Sequence, residues 1–359
     1  MRVTIDATSA LLRSAGVKGY TYHWLRHLRK QAGAGEEIHA FPLLKNWDRL
    51  DHEHSALRLV PTIARLAALH AANVLGPPVL DLLLGRTDVF HAGNLVRQAP
   101  GKARLTATIH DLTAWIMPEV HTQSTLRADR TFEERILKRA DGLIAVSENT
   151  RQDAIRLIGI KPERIRTIHS GVAEEYFDAK PSARGKPYVL FVGTVEPRKN
   201  LDTLLDAWRA MKSDIREHFD LVIAGPQGWN SEATMVRIRQ EATYLGYVPE
   251  AEMPGLVAGA SLFVYPSLYE GFGFPLVQAM AANVPALVSR TSCLPEIAGD
   301  AAAFVDPLSP SEMTAELTRL LESSEERSKL ARLGRARAES YRWERCAEES
   351  LAFFREIAG

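Results

Sequence analysis

The stretch 261–296 constrains the fold of this chain more than any other. It reads SLFVYPSLYEGFGFPLVQAMAANVPALVSRTSCLPE. The apolar run Leu262–Tyr265 has the length and bulk of a buried strand, and Pro266-Ser267 ends it. Glu270 comes next, then the turn Gly271-Phe272-Gly273-Phe274-Pro275, a helical run over 276–282 and a second apolar strand at 285–288. A carboxylate and a glycine turn therefore sit between the end of a strand and the start of a helix. Open α/β sheets place their ligands there, and the free N–H groups of a helix start suit phosphate or sugar hydroxyls. On local sequence alone, the same residues also read as a tight turn with an ordinary surface glutamate.

The alternation continues along the chain. Apolar runs at 2–6, 37–43, 88–91, 105–109, 142–146, 164–169, 188–192, 219–224 and 243–245 read as further strands. Helical spacing places helices at 20–30, 61–70, 131–139, 201–211, 253–258, 310–321 and 325–340. Residues 7–19 read as a loop, and Leu59, Ile63, Leu66 and Leu69 as the inward stripe of the second helix. Ser147 or Asn149 caps one helix, and Ser309 caps the helix that Pro310 opens. Strands followed by turns and mostly by helices make an α/β protein. A length of 359 residues exceeds one core. Composition breaks at 181–187, where Pro181, Ser182, Gly185, Lys186 and Pro187 gather, so a linker is expected there. The expected domains are 1–182 and 187–340, with 341–359 as a last helix.

Bulk numbers exclude several classes. Hydrophobic residues make up 46% and charged residues 25%, an ordinary soluble composition. The 44 basic residues balance the 44 acidic ones, which disfavours a nucleic-acid binder. Cys293 and Cys346 are too few for a disulfide scaffold and point to a reducing compartment. The first strand begins at Arg2 and leaves no room for a signal peptide. The apolar run 74–84 is short and broken by Pro77, Pro78 and Asp81, so it does not span a bilayer. His52, His54 and His70 match no zinc spacing.

Chemistry gathers at two further places. Glu196-Pro197-Arg198-Lys199-Asn200 follows the strand 188–192. Arg198 and Lys199 precede a helix start, where the dipole disfavours cations unless an anion binds. Paired cations with free N–H groups suit a diphosphate, while a solvated charge pair is the competing reading. His110-Asp111 stands just beyond the strand 105–109, at the ligand edge of a parallel sheet, although a lone histidine more often serves packing. The N-terminal loop lacks G-x-G-x-x-G, which argues against a dinucleotide cofactor.

Together these residues resemble the retaining glycosyltransferases of family 4, the group 1 transferases of the GT-B fold. The resemblance covers nearly the whole chain, strongest over 188–296 and weakest over 46–101. It implies two Rossmann-like domains facing across a cleft, an acceptor-side domain first and a nucleotide-sugar domain second, with the last helix crossing back and Trp343 as its anchor. It implies that Arg198 and Lys199 clamp the donor diphosphate, that Gly193 belongs to the donor site, and that Glu270 holds hydroxyls of the donor sugar. The backbone of Phe272, Gly273 and Phe274 would face the sugar and diphosphate, and His110 the transferred sugar, with Asp111 beside it. Gly16 takes the place of an acceptor-facing glycine, Lys18 stands where a second glycine is common, and region 46–84 is the acceptor side. The chain departs from the family at Gln278, where a second glutamate binds the nucleotide ribose. Glutamine is neutral and has one carbonyl acceptor, so that contact would weaken. The family works without a bound metal, and this chain has no D-x-D.

The expectation is a retaining glycosyltransferase that needs no cofactor and no metal. The run GTVEPRKN at 193–200 looks most like mannosyltransferases acting on polysaccharide or lipid-linked glycans. That implies GDP-mannose as donor and a saccharide or lipid-linked saccharide as acceptor, in a cytoplasmic enzyme with a peripheral contact at the inner membrane face. A UDP-sugar donor, an epimerase or phosphorylase, and a non-catalytic partner of the same fold are the alternatives. A phosphorylase would need a longer chain and a cofactor lysine site. The intact ionic residues argue against a non-catalytic partner.

Overall fold

The computed structural model describes all residues except 14, 15, 43, 45, 46, 94 and 183. Leu43, the end of one expected strand, and Asn46, the start of the expected acceptor region, lie outside the described residues. The chain divides into two compact units, Met1–Gly171 with Trp343–Gly359, and Val172–Arg342.

In the first unit six strands form one sheet. They are β1 Arg2–Asp6, β2 Glu37–Phe41, β3 Val89–Ala92, β4 Arg104–Ile109, β5 Gly142–Ala145 and β6 Ile165–Thr167, in the order β2-β1-β3-β4-β5-β6. Every pairing is parallel. Helices cover the sheet, so its strands read as short apolar runs rather than as alternating ones. β3 and β5, VFHA and GLIA, are buried throughout. The order reverses between β1 and β3, and there the Gly93 N–H donates to Asp6 Oδ2 (3.1 Å). A Cβ on Gly93 would stand 2.5 Å from that oxygen, so the close approach needs glycine.

The expected loop at 7–19 is shorter than the sequence suggests. Thr8–Leu11 is a 3-10 turn, and helix α1 spans Gly16–Gln31. Lys18 is buried, and its ammonium donates to the carbonyls of Leu12 (2.9 Å) and His54 (2.6 Å). Gly16 and Gly19 are helix residues rather than turn residues. Helices α2, Leu59–Leu75, and α3, Pro77–Leu84, follow β2. The buried face of α2 is Thr62, Leu69 and Ala72. Leu59 and Ile63, expected to point inward, face solvent.

The C-terminal helix Trp343–Ala358 packs along α1, where Trp24 Nε1 donates to Ser350 Oγ (3.0 Å). Gly142 and Gly171 make room for it. A Cβ on Gly142 would lie 2.6 Å from Ile357 Cδ1, and one on Gly171 2.5 Å from Trp343 Cγ.

The second unit carries β7 Tyr188–Val192, β8 Asp220–Ala224, β9 Thr243–Gly246, β10 Leu262–Tyr265, β11 Ala286–Ser289 and β12 Ala303–Val305. The order is β12-β11-β10-β7-β8-β9, again all parallel. β7 and β10 are neighbours although 69 residues separate Val192 from Leu262, with β8 and β9 wound to one side and β11 and β12 to the other. The loops leaving β7 and β10 thus meet where the winding reverses, which is where such sheets bind ligands.

The break expected at 181–187 is not where the units divide. The Val172 N–H donates to Tyr341 O (2.8 Å), Arg335 reaches Phe177 O (2.6 Å), and the Ser182 N–H donates to Gly255 O (2.9 Å). Segment 172–182 is therefore bonded to the second unit, and 181–187 is a connection within it. Proline, glycine and serine mark an exposed crossing there. No helix among the described residues is long and apolar enough to cross a membrane.

Candidate functional site

β7 is buried at every position and delivers the chain to Gly193, whose N–H donates to Ala224 O (2.9 Å). Two glycines allow this. Gly225 has φ +136°, and a Cβ there would stand 2.0 Å from Gly193 O. Beyond them the 3-10 turn Pro197–Lys199 leads into the helix Leu201–Ala210 through Asn200, which is left-handed at φ 57°. The Asn200 amide donates to Pro266 O (3.1 Å) and Pro307 O (2.7 Å). The Leu268 N–H donates to Arg198 O (2.9 Å). The loop after β7 is thus laced to the loop after β10.

Between those loops lies a cluster of four charged side chains. Lys199 Nζ is 2.6 Å from Glu270 Oε1 and donates to Tyr265 Oη (2.7 Å). The Arg198 guanidinium reaches Glu270 Oε2 (2.9 Å), Tyr269 O (2.7 Å) and Glu196 Oε1 (2.6 Å). Glu196, Lys199 and Glu270 are buried and Arg198 nearly so. Burial would raise the Glu270 carboxyl, but Arg198 and Lys199 overcome it and hold the group at about 2. Burial and the neighbouring Arg198 pull the Lys199 ammonium down from its ordinary value, against the carboxylates of Glu270 and Glu196. Both Glu270 oxygens are thus engaged. The Glu270 N–H donates to Ser292 Oγ (3.0 Å), which fixes the backbone beneath the carboxylate.

The glycine turn starts the next helix. Gly273 has φ +81°, its carbonyl accepts from Leu276 and Val277, and the helix runs Phe274–Ala281. Phe272 is buried, edge-on to Phe274 and Tyr341, so its side chain belongs to the core. Phe274, Gln278 and Ala282 are half-buried and spaced by four, whereas Leu276, Val277, Ala279 and Met280 are buried. Gln278 is therefore on the accessible face of its helix.

In the first unit His110 follows β4 and stands edge-on to Tyr20, with ring centroids 4.8 Å apart. Its surroundings push the imidazole down to about 4 by burial, against the nearby Asp111. His110 is therefore neutral near pH 7. Asp111 Oδ1 accepts from the N–H (3.0 Å) and hydroxyl (2.7 Å) of Thr113 and shapes the turn into the next helix. Gly16 opens α1, and a Cβ there would meet nothing within 4 Å among the described residues. A small cavity of about 40 Å³ lies at the carboxyl ends of β1, β3 and β4, with Asp6, Ser9, Tyr20, His91, Thr108 and His110 in its lining.

Sequence reasoning missed several of these residues. His91 is buried within β3 with Thr106 Oγ1 and Thr108 Oγ1 each 3.0 Å from its ring nitrogens. Ser9 Oγ is buried without a hydrogen-bond partner among the described residues. Tyr265 completes the charged cluster. A polar residue inside an apolar strand was the available signal for His91. Among the described residues, no group of three or more His, Cys, Asp or Glu side chains could hold a metal ion.

Residues 172–337 match the family model described as Glycosyl transferases group 1, and residues 14–176 match Glycosyltransferase Family 4. The chain is 31% identical over 263 residues to the O-antigen chain mannosyltransferase B of Escherichia coli, with 69% of each chain covered. It is 28% identical over 229 residues to the MMP alpha-(1->4)-mannosyltransferase of Mycolicibacterium hassiacum, covering 62% of this chain and 56% of that one. The sucrose-phosphate synthase of Thermosynechococcus elongatus superposes over 99% of both chains with a TM-score of 0.72 at 17% identity, a likeness of fold alone.

Proposed function

Since the chain belongs to family 4 of the GT-B glycosyltransferases, we propose that it transfers mannose from GDP-mannose, with retention, to a growing saccharide or a lipid-linked saccharide. The coarse activity, sugar-nucleotide-dependent transfer to a glycan or lipid acceptor, follows from that membership. The choice of mannose is supported by the mannosyltransferase relatives. The observation that carries the site assignment is the meeting of Arg198 and Lys199 with Glu270 at the reversal point of the second sheet.

The sugar C1–O bond breaks with its electron pair left on the diphosphate. A new bond forms from the acceptor oxygen to C1, and the acceptor's hydroxyl proton leaves with the departing phosphate. Stabilising the charge on that phosphate is the main electrostatic task. Arg198 and Lys199 are assigned to it, with the Gly193 turn beside them. Glu270 keeps both cations in place and accepts from sugar hydroxyls. The turn Phe272–Gly273–Phe274 borders the donor, and Gln278 is assigned to the ribose. His110 is assigned to the transferred sugar, and a neutral imidazole can both donate and accept there. Asp111 and Gly16 are assigned to the acceptor side.

Because two side-chain cations serve the diphosphate, transfer is expected to continue in EDTA, in a cytoplasmic enzyme. Calorimetry with GDP tests the clamp. Arg198→Ala should weaken binding roughly ten- to hundredfold, the worth of one lost charge-assisted hydrogen bond. Unchanged affinity would remove Arg198 from the donor site. Turnover measured on GDP-mannose beside a panel of UDP-sugars decides the base, and a preference for a UDP-sugar would overturn the mannose assignment.

A further inference from the structure

Three polar residues follow one another along one face of β4. Side chains alternate along a strand, so Thr106, Thr108 and His110 share a face. Thr108 and His110 line the same cavity. His91 lies beside them on β3, in register with Thr106. Its ring nitrogens stand 3.0 Å from Thr106 Oγ1 and 3.0 Å from Thr108 Oγ1. Tyr20 Oη, on α1, is 3.4 Å from Thr108 Oγ1. His91, Thr106, Thr108 and Tyr20 are all buried.

The donors in this ladder run one way. The Thr106 hydroxyl donates to Phe90 O (3.5 Å), so Thr106 Oγ1 accepts from His91 Nδ1. A neutral imidazole donates from one nitrogen and accepts at the other, which leaves His91 Nε2 as an acceptor. The Thr108 hydroxyl donates to that nitrogen, and the Tyr20 hydroxyl donates to Thr108. Replacing both partners of a buried hydrogen bond by apolar groups of the same shape is nearly neutral for stability. Folding alone therefore does not call for this ladder. It supplies a fixed direction for the hydroxyl end of Tyr20. Trp24 and Trp343 hold the Tyr20 ring, with centroids 5.3 Å and 5.6 Å from it.

Tyr20 in turn meets His110. The two rings stand edge-on at 84° with centroids 4.8 Å apart. His110 is half-buried and also borders the cavity of about 40 Å³, which is more room than one water needs. The imidazole thus has space to turn on one side and the Tyr20 ring as a wall on another.

We propose that Tyr20 is the positioning residue for His110. The ladder through Thr108 and His91 fixes Tyr20, and the Tyr20 ring fixes the plane of the imidazole. This rests on the role assigned to His110 at the transferred sugar. Misplacing a reacting group by about 1 Å can cost about a hundredfold in rate, so a wall of this kind acts on turnover.

The test is steady-state transfer by the full chain, with the donor selected from the sugar-nucleotide panel, on variants shown to be folded by far-UV circular dichroism. Tyr20→Phe keeps the ring and loses the bond to Thr108, so kcat should fall about three- to tenfold with KM for donor and acceptor unchanged. Tyr20→Leu loses the ring, and kcat should fall roughly a hundredfold. GDP affinity measured by calorimetry should stay at the wild-type value in both, because Arg198 and Lys199 lie in the second unit. Thr108→Val cuts the same ladder, so the double variant Tyr20→Phe/Thr108→Val should be no slower than the slower single variant. Losses that multiply in the double variant would overturn the link between ladder and ring. A Tyr20 that serves packing alone would lower the thermal midpoint and leave kcat per folded molecule unchanged. A folded Tyr20→Leu at wild-type kcat, beside a His110→Ala variant that has lost transfer, would overturn the positioning alone. His110→Ala at wild-type kcat would overturn the role of His110 itself, and the positioning with it.

Discussion

Glu196 shows how one side chain can set the behaviour of the whole cluster. Its carboxylate is buried and bonded to Arg198 at 2.6 Å, while Glu270 bridges Arg198 and Lys199. Two cations are thus balanced by two carboxylates before any diphosphate arrives. An isolated buried charge is costly, so the acids are what let the cations sit here. The same acids oppose an incoming anion. Glu196→Gln keeps the shape and a carbonyl acceptor for Arg198 while removing one negative charge. Nucleoside diphosphate binding should tighten severalfold and kcat should fall as product leaves more slowly. Calorimetry with GDP and steady-state kinetics read the two effects separately. Weaker binding in a folded variant would show that Glu196 orients Arg198 and that its charge is immaterial. Glu270 differs, because it touches both cations. Glu270→Gln should lower kcat with the fold retained, and a wild-type kcat would reduce Glu270 to a turn residue.

At the scale of elements, the proposed donor site depends on two loops crossing where only glycine fits. Gly225→Ala would put a Cβ 2.0 Å from Gly193 O at φ +136°. Backbone strain and overpacking together predict a loss on the order of 2–4 kcal/mol. Urea midpoints measure it, with Gly185→Ala as the control, since a Cβ at Gly185 meets nothing within 4 Å among the described residues. Equal midpoints for the two variants would contradict the crossing. Elements like β7 and β10 were legible because each is a short, wholly apolar run closed by a turn. β12 escaped because it is three residues long among alanines. The helix Glu232–Glu241 escaped because its EATMVRIRQE buries only Met235 and Ile238 and shows no wide stripe. Glycines at 16 and 19 spelled a loop, whereas helix α1 begins at Gly16, with the buried ammonium of Lys18 bonded to Leu12 O and His54 O. Arg198, Lys199 and Glu270 were readable as chemistry placed after strands. Their partner Tyr265 was not, because that contact requires β7 beside β10, and strand order is not written in local sequence. The stripe on α2 was legible as apolar, but its outward direction was not, since periodicity does not say which side of a helix meets the core.

Over the whole molecule, the buried titratable groups divide the response to acid between the two units. In the first unit, burial and the neighbouring His110 push His91 down to about 3, and burial pushes His110 to about 4. An unfolded chain would bind both protons near pH 6.5. Between pH 6.5 and those values the unfolded state holds more protons, so stability falls as pH falls. Asp129 works the other way. Burial and the nearby Asp111 raise it to about 6, so its contribution is full in acid and is lost as pH rises through 6. In the second unit Glu270 is held at about 2, so its contribution is present above pH 4.5 and is lost only in stronger acid. A single acid titration would mix these opposing effects, but a substitution isolates one of them. His91→Asn removes a titratable side chain that is 4% exposed. Between pH 6 and pH 4 the wild type should lose stability relative to that variant at ~1.4 kcal/mol per pH unit. Glu270→Gln should show no such trend above pH 4.5 and should differ only below it. Urea unfolding at a series of pH values, followed by tryptophan fluorescence, gives both comparisons. A wild-type minus His91→Asn difference that stays constant from pH 7 to pH 4 would mean that His91 takes up its proton in the folded state, with Thr106 and Thr108 giving way to let it.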